Sequence, residues 1–423
     1  MESRSHYLRG TLENIPEARG VRRKLNHVEI SISEECSIYR ISKLLHNIND
    51  KAYTPQAISI GPFHHGRQEL MAMERLKLTF LDCYLSQVGM EFDAAFEIAR
   101  GWEARARQCY AEPINMNSAD FVKLLLVDAA FLVMIVDVVE SGTALFKAIR
   151  IDIYRDLILL ENQLPFFILV SLFEKCTNSI PFVVFARNFC RWYMGARELI
   201  PDGLLARKPN HLVDFLSFYY ALPIATENND HHKNENKKLV NPPTATELWE
   251  AGVRFQKAAE DKLIMDIHFQ EEEGVLAIPH LEIHDAFETY MRNLLAYEHY
   301  HVGDDERCII QYILFLDDLI STERDVSLLV KAGIITNGIG GNDEEVSKMF
   351  NNLCKDVSVY CDFYYYNQIS MTLRKYCETP WHRWRASLKR DYFNSPWTSI
   401  SFLAATVAIL LTVVQTVYSV ISK

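Results

Sequence analysis

Residues 392–422 carry no charged side chain, and within them 400–421 reads ISFLAATVAILLTVVQTVYSVI. A hydrocarbon layer is crossed by about 20 mostly apolar residues in a helix, because lipid offers the backbone no hydrogen-bond partner and a helix supplies its own. The Ile, Leu, Val and Phe residues of the run contribute about −4 to −7 kcal/mol on an insertion scale, set against Gln415 and several Thr and Ser. A transmembrane helix over 398–421 is the expectation. Arg374, Lys375, Arg383, Arg385, Lys389 and Arg390 precede it and Lys423 follows, which places the bulk of the chain on the cytosolic side of a single-pass protein. Trp397 and Tyr418 suit the two lipid–water boundaries. So short a remainder after the span implies insertion after translation, as in tail-anchored proteins, into either the plasma membrane or an endomembrane.

Two other apolar runs fail as spans. Residues 121–139 carry Asp128 and Asp137, each costing about 2.5–3.5 kcal/mol near the middle of a bilayer. Residues 157–173 carry Glu161 and are interrupted by Pro165, which removes a helix hydrogen bond and clashes with the preceding turn. Both are expected in a protein core, the second as a helix kinked or restarted at the proline.

Half of the 423 residues are apolar, enough for a large buried core. The net charge of −11 opposes binding to phosphate backbones, so nucleic acid is not an expected partner. Arg383, Arg385, Lys389 and Arg390 offer contact with anionic lipid, at about 1 kcal/mol per basic residue, although they serve equally as a topology signal. Nine cysteines without CxxC spacing suit reduced thiols, and no apolar leader stands near the N-terminus.

Residues 1–33 are charged and lack apolar periodicity, which suggests a loosely ordered extension before a single helical domain over 34–390. Met73, Leu76, Phe80 and Tyr84 recur at helical spacing, as do Phe287, Tyr290, Met291, Leu294 and Glu298. The Asn-rich stretch 225–243 reads as a surface loop, and alternating runs over 252–283 read as a small antiparallel sheet. The fold class is therefore mainly α, with one minor β element and one C-terminal span.

Chemistry-bearing residues are few. Asp128 and Asp137, nine positions apart, fall on opposite sides of one helix and make a poor acid–base pair. His280 and His284 lie in an alternating run, where a strand holds them about 13 Å apart, too far for one metal. His64 with His65, His231 with His232, and His299 with His301 lack nearby ligands at zinc-site spacing. Gly338-Ile339-Gly340-Gly341 has no Lys-Ser/Thr ending, and no strand is expected before it. With no G-x-S-x-G or H-E-x-x-H, neither a cofactor, a metal nor a catalytic residue is expected.

The remaining motifs, in order, resemble the plant family called domain of unknown function 247. They are Ala52-Tyr53-Thr54-Pro55, then Ile58-Ser59-Ile60-Gly61-Pro62-Phe63-His64-His65-Gly66, then Met73-Glu74 and Lys77. Asp156-Leu157-Ile158-Leu159-Leu160-Glu161-Asn162-Gln163-Leu164-Pro165-Phe166-Phe167 is the most specific string. Ala245-Thr246-Glu247-Leu248 with Ala251-Gly252-Val253-Arg254-Phe255, Arg292-Asn293-Leu294-Leu295-Ala296-Tyr297-Glu298, Asp391-Tyr392-Phe393 and Pro396-Trp397 complete the match. Departures are Ile41-Ser42 where the family has Val-Pro, and Ala129-Ala130 where it has Gly-Cys. The resemblance implies a mainly helical, membrane-associated plant protein without established enzymatic activity, and some members are implicated in self-incompatibility recognition in grasses.

Within these strings Tyr53, Pro55, Gly61, Pro62, His64, His65, Gly66, Glu161, Asn162, Gln163, Pro165, Gly252, Asn293 and Glu298 are the marked positions, read as fold determinants before functional groups. Two function classes follow. The first is non-enzymatic recognition of an unidentified protein partner by a membrane-anchored domain. The second is a tethered hydrolase or transferase using His64, His65 and Glu161, which requires the three to converge within about 4 Å.

Overall fold

The computed structural model describes residues 33, 35–141, 152–176, 208–227, 239–259, 264–301, 307–355, 364–382, 384, 387 and 396–421. The N-terminal extension, except Ser33, lies outside them, as do residues 228–238 of the polar loop and Arg383, Arg385, Lys389 and Arg390.

Helices dominate, with a few short strands. Helices α1 (Lys43–Ile48), α2 (Met71–Val88), α3 (Phe92–Arg100), α4 (Glu103–Gln108), α5 (Ser118–Ser141), α6 (Phe166–Cys176) and α7 (Leu212–Glu227) come first. From 121 to 135 every α5 side chain except Lys123 is buried, which requires neighbours on all sides. α2, α3 and α6 supply them. The α2 stripe turns Phe80 edge-on to Phe131 at 5.0 Å, and Tyr84 donates to the Leu172 carbonyl of α6 at 2.9 Å. At Pro165 the chain restarts as expected: helical turns at 152–157 give way to an irregular stretch, and α6 begins at Phe166.

Next come α8 (Ala245–Glu250), β1 (Arg254–Lys257), β2 (His268–Gln270), β3 (Val275–Ile278) and β4 (Leu281–Ile283). They are followed by α9 (Phe287–His301), α10 (Cys308–Leu319), α11 (Glu323–Lys331), β5 (Ile335–Asn337), α12 (Asp343–Leu353), α13 (Asn367–Glu378) and α14 (Pro396–Ile421). The expected antiparallel sheet over 252–283 is corrected. β3 is central and pairs parallel with β1 and antiparallel with β2, while β4 leaves to pair parallel with β5. Apolar alternation reports which strand face is buried and says nothing of strand direction. Here β3 is the buried strand, with β1 and β2 as exposed edges. A second correction concerns the glycine-rich loop, because β5 does precede it. The helix that follows opens with Asp343, Glu344 and Glu345, charges that repel an incoming phosphate at a helix N-terminus.

Leu403–Ile421 of α14 is long and apolar enough to cross a membrane, and none of it is buried. No other described helix meets that test. Thr412 and Thr416 donate their hydroxyls back to the carbonyls of Ala408 (2.8 Å) and Thr412 (2.7 Å), so neither presents an unsatisfied O–H on the helix surface.

One charge pair lies at the α2–α5 contact. Lys77 is fully buried, with its ammonium 2.5 Å from Asp128 Oδ1, 2.6 Å from Glu74 Oε1 and 2.8 Å from the Ser59 carbonyl. Three donors meet three acceptors. Burial alone would lower the Lys77 pKa, but the two carboxylates outweigh it and hold the ammonium above its usual range. Replacing Lys77 by Met leaves Asp128 buried without its counter-charge, and should destabilise the protein by about 3–5 kcal/mol in urea unfolding. A loss below about 1 kcal/mol, the value of an exposed pair, would contradict this placement.

Candidate functional site

Residues 52–66 cross the interior with almost no regular structure, so their peptide groups need partners outside a helix or sheet ladder. The 156–163 string supplies most of them. Asp156 Oδ2 accepts three successive N–H groups, from Gln56 (2.9 Å), Ala57 (2.6 Å) and Ile58 (3.0 Å). Asn162 accepts from Ile60 N–H at 2.7 Å and donates to the Ile58 and Asp156 carbonyls. Asp128 accepts from Gly61 N–H at 2.8 Å.

Gly61 has φ +72°, and a Cβ there would stand 2.4 Å from the Gln163 carbonyl oxygen. Backbone therefore touches backbone where no other residue fits. Gln163 donates to the Leu157 and Leu159 carbonyls and accepts from Leu212 N–H, tying the string to α7. Asn293, fully buried on α9, accepts from Leu160 N–H at 2.9 Å and donates to the Ala52 carbonyl at 2.7 Å. Pro55 is buried, Pro62 is half-buried and Pro165 is buried just before α6.

Glu161 is the most connected of the marked residues. Its buried carboxylate accepts from Ile41 N–H (2.7 Å) and from His46 Nε2 (3.1 Å), with Arg40 Nη1 at 3.4 Å on the other oxygen. His64 Nε2 lies 3.2 Å from Oε2, within ion-pair range but off the line of a directed hydrogen bond. Burial alone would raise the Glu161 pKa, but His64, His46 and the Ile41 N–H outweigh it and hold the carboxyl below its ordinary range. Asp50, 2.9 Å from His46 Nδ1, orients the second imidazole.

Arg40, His46 and Asp50 escape sequence reasoning, because more than 100 residues separate them from Glu161 and nothing local marks them. His65 does not join the cluster. It is exposed and turned toward Glu74, 3.8 Å away, and Gly66 beside it is exposed with φ +84°. The three residues expected to converge in a hydrolase or transferase therefore do not. The remaining marked positions lie elsewhere. The buried Tyr53 packs edge-on to His46 at 5.4 Å, and burial pushes its phenol up to about 12 against the pull of Arg292. Gly252 follows α8 with φ +93°.

Glu298, at the far end of α9, accepts from the N–H groups of Ile309 (3.0 Å) and Ile310 (2.8 Å) at the start of α10. Burial pushes its carboxyl up to about 8, with those N–H groups pulling the other way. Among the described residues no group of three or more His, Cys, Asp or Glu side chains is arranged to hold a metal ion. An open cleft of about 390 Å³ lies between α1, α9 and the end of α12. Leu44, Ile48, Glu288, Arg292 and Lys355 are among its lining residues, and Arg292 is held by Glu288 at 2.7 Å.

Replacing Glu161 by Gln removes the charge that these donors share, and should cost about 1.5–3 kcal/mol at neutral pH in chemical denaturation. Because its folded pKa is depressed, the Glu161 contribution is complete above the ordinary carboxylate range and is lost as pH falls through the folded value. The gap between wild type and Glu161→Gln should accordingly narrow below about pH 4. Glu298 behaves oppositely. With a folded pKa near 8, stability should fall as pH rises from the ordinary carboxylate range through about 8. Glu298→Gln should flatten that slope in melting temperatures recorded across the range, and an unchanged slope would locate the ionisation elsewhere.

Two curated relatives from Arabidopsis thaliana align over most of the chain. UPF0481 protein At3g47200 is 25% identical, over 93% of this chain and 88% of that protein. Putative UPF0481 protein At3g02645 is 22% identical, over 90% of this chain and 89% of its own length. No solved structure matches the chain. The family described as plant protein of unknown function matches residues 38–411, which include every marked position from Tyr53 to Glu298, and the chain belongs to that plant family, domain of unknown function 247.

Proposed function

We propose that this protein is anchored in a membrane by α14 and that its helical domain, held on the cytosolic side, recognises another protein without catalysing a reaction. The observation that carries the anchoring is the exposure of Leu403–Ile421, nineteen apolar-rich residues with no protein surface covering them. A helix of this kind in water would expose a large apolar surface at a cost that lipid removes. The return of the Thr412 and Thr416 hydroxyls to helix carbonyls suits the same medium.

The marked residues Glu161, Asn162, Gln163, Asn293 and Glu298 support a non-catalytic role because their side-chain polar atoms are engaged within the fold. Glu161 accepts from Ile41 and His46 on one oxygen and from Arg40 on the other, with the His64 ring against it, so its carboxylate is engaged by the fold. Recognition then belongs to the surface. The open cleft beside α1 offers Leu44 as an exposed apolar contact, with Lys355 as a polar one. Buried aromatic or aliphatic anchors rimmed by charge are what protein partners need.

Two measurements test the proposal. Protease added to sealed vesicles carrying the full chain should digest the bulk of the protein, and full protection would reverse the orientation. Proximity labelling from the helical domain should give a defined set of neighbours, altered when the chain is truncated before Asp391. Identical, nonspecific neighbours for both forms would remove the tethered-recognition reading.

A further inference from the structure

We propose that Trp381 and Trp384 form a second membrane contact, an aromatic patch that seats the helical domain in the headgroup layer of an anionic membrane; this rests on the anchoring by α14 proposed above. Residues 380–382, 384 and 387 are helical, so the two indoles, three positions apart, project from one side of that turn. They are 64% and 69% exposed, more than any other large apolar side chain described outside α14.

The turn that carries them is held in place. His382 points inward, its ring stacked on Tyr376 of α13 at 3.8 Å and its Nδ1 donating to the Tyr376 carbonyl at 3.1 Å. Tyr376 in turn packs edge-on against Phe269 of β2 at 5.4 Å. The inner side of the turn is thus used for docking on the domain, and the outer side presents two indoles to the surroundings.

Three observations favour lipid as the occupant. An indole has an apolar body and a single N–H donor, the chemistry that collects at the boundary between acyl chains and headgroups. Only 12 positions separate Trp384 from Pro396, so even a fully extended connection keeps the patch within about 40 Å of the first residue of α14. Residues 380–390 contain Arg383, Arg385, Lys389 and Arg390 and no acidic residue, in a chain whose net charge is −11. Basic residues beside aromatic ones are the composition that an anionic leaflet attracts.

The test uses the full chain reconstituted in phosphatidylcholine–phosphatidylserine vesicles whose acyl chains carry bromine near the headgroup end, a shallow quencher of tryptophan emission. Trp381, Trp384 and Trp397 are the quenchable residues expected of the wild type. The double variant W381F/W384F should lose roughly two-thirds of the quenchable emission, two indoles of three, with an unchanged circular dichroism spectrum. Equal quenching in both proteins, with Trp397 still quenched, would leave the anchor in the membrane and overturn the patch. No quenching in either protein would overturn the anchoring by α14, and the patch with it.

Discussion

Residues 52–66 carry their peptide groups through an apolar interior without a ladder of helix or strand, and each N–H left unpaired there would cost about 1–3 kcal/mol. The fold answers with side chains. Asp156 alone takes three consecutive N–H groups, Asn162 and Asp128 take those of Ile60 and Gly61, and Asn162, Lys77 and Asn293 donate to the carbonyls of Ile58, Ser59 and Ala52. Those partners come from α2, α5, α9 and the turn before α6, so an irregular segment ends up fixing how four parts of the helical domain sit together. This is why so many of the family-string residues are polar and yet buried. They occupy the interior as hydrogen-bond partners, and the apolar side chains around them raise the cost of losing any one.

Much of this architecture is legible in the sequence, and the reason differs by element. The α2, α5 and α9 helices announce themselves because apolar spacing over four or more turns has few other solutions, and Asp128 could be placed in a core because a lone charge within an apolar run cannot face lipid cheaply. The restart at Pro165 follows from ring sterics alone. Strand direction does not follow, since the alternation in residues 252–283 is the same for either orientation, and the β4–β5 pairing joins segments more than 50 residues apart. The strand before the glycine-rich loop is three residues long, below the length at which alternation is informative.

The site was legible by residue and not by connection. Glu161, His64 and Asn293 stand out in their strings, but the Glu161 partners Arg40 and His46 are distant in sequence and unremarkable where they stand, and nothing local links Asn293 to Ala52. Lys77 is instructive in another way. It falls on the same stripe of α2 as Phe80 and Tyr84, and Asp128 falls within an apolar run of α5. Two opposite charges, each alone on a buried surface, are the signal that the two helices touch at that level. The departure at Ser42 also acquires a physical sense. Its hydroxyl accepts from Leu45 N–H at the start of α1 and its N–H donates to Tyr300, two bonds a proline could not make.

Asn293 closes the Ala52 carbonyl from 241 positions further along the chain, and Leu160 N–H depends on the same side chain. Contacts this remote in sequence are assembled against a large loop-closure entropy and tend to slow folding. During synthesis from the N-terminus, the first family string emerges long before the residue that completes it. Until α9 leaves the ribosome, the Ala52 carbonyl and the Leu160 N–H must stay in water or on transient partners. A nascent chain halted before residue 293 would hold the helices of the first half and lack the side chain that locks the strip between them.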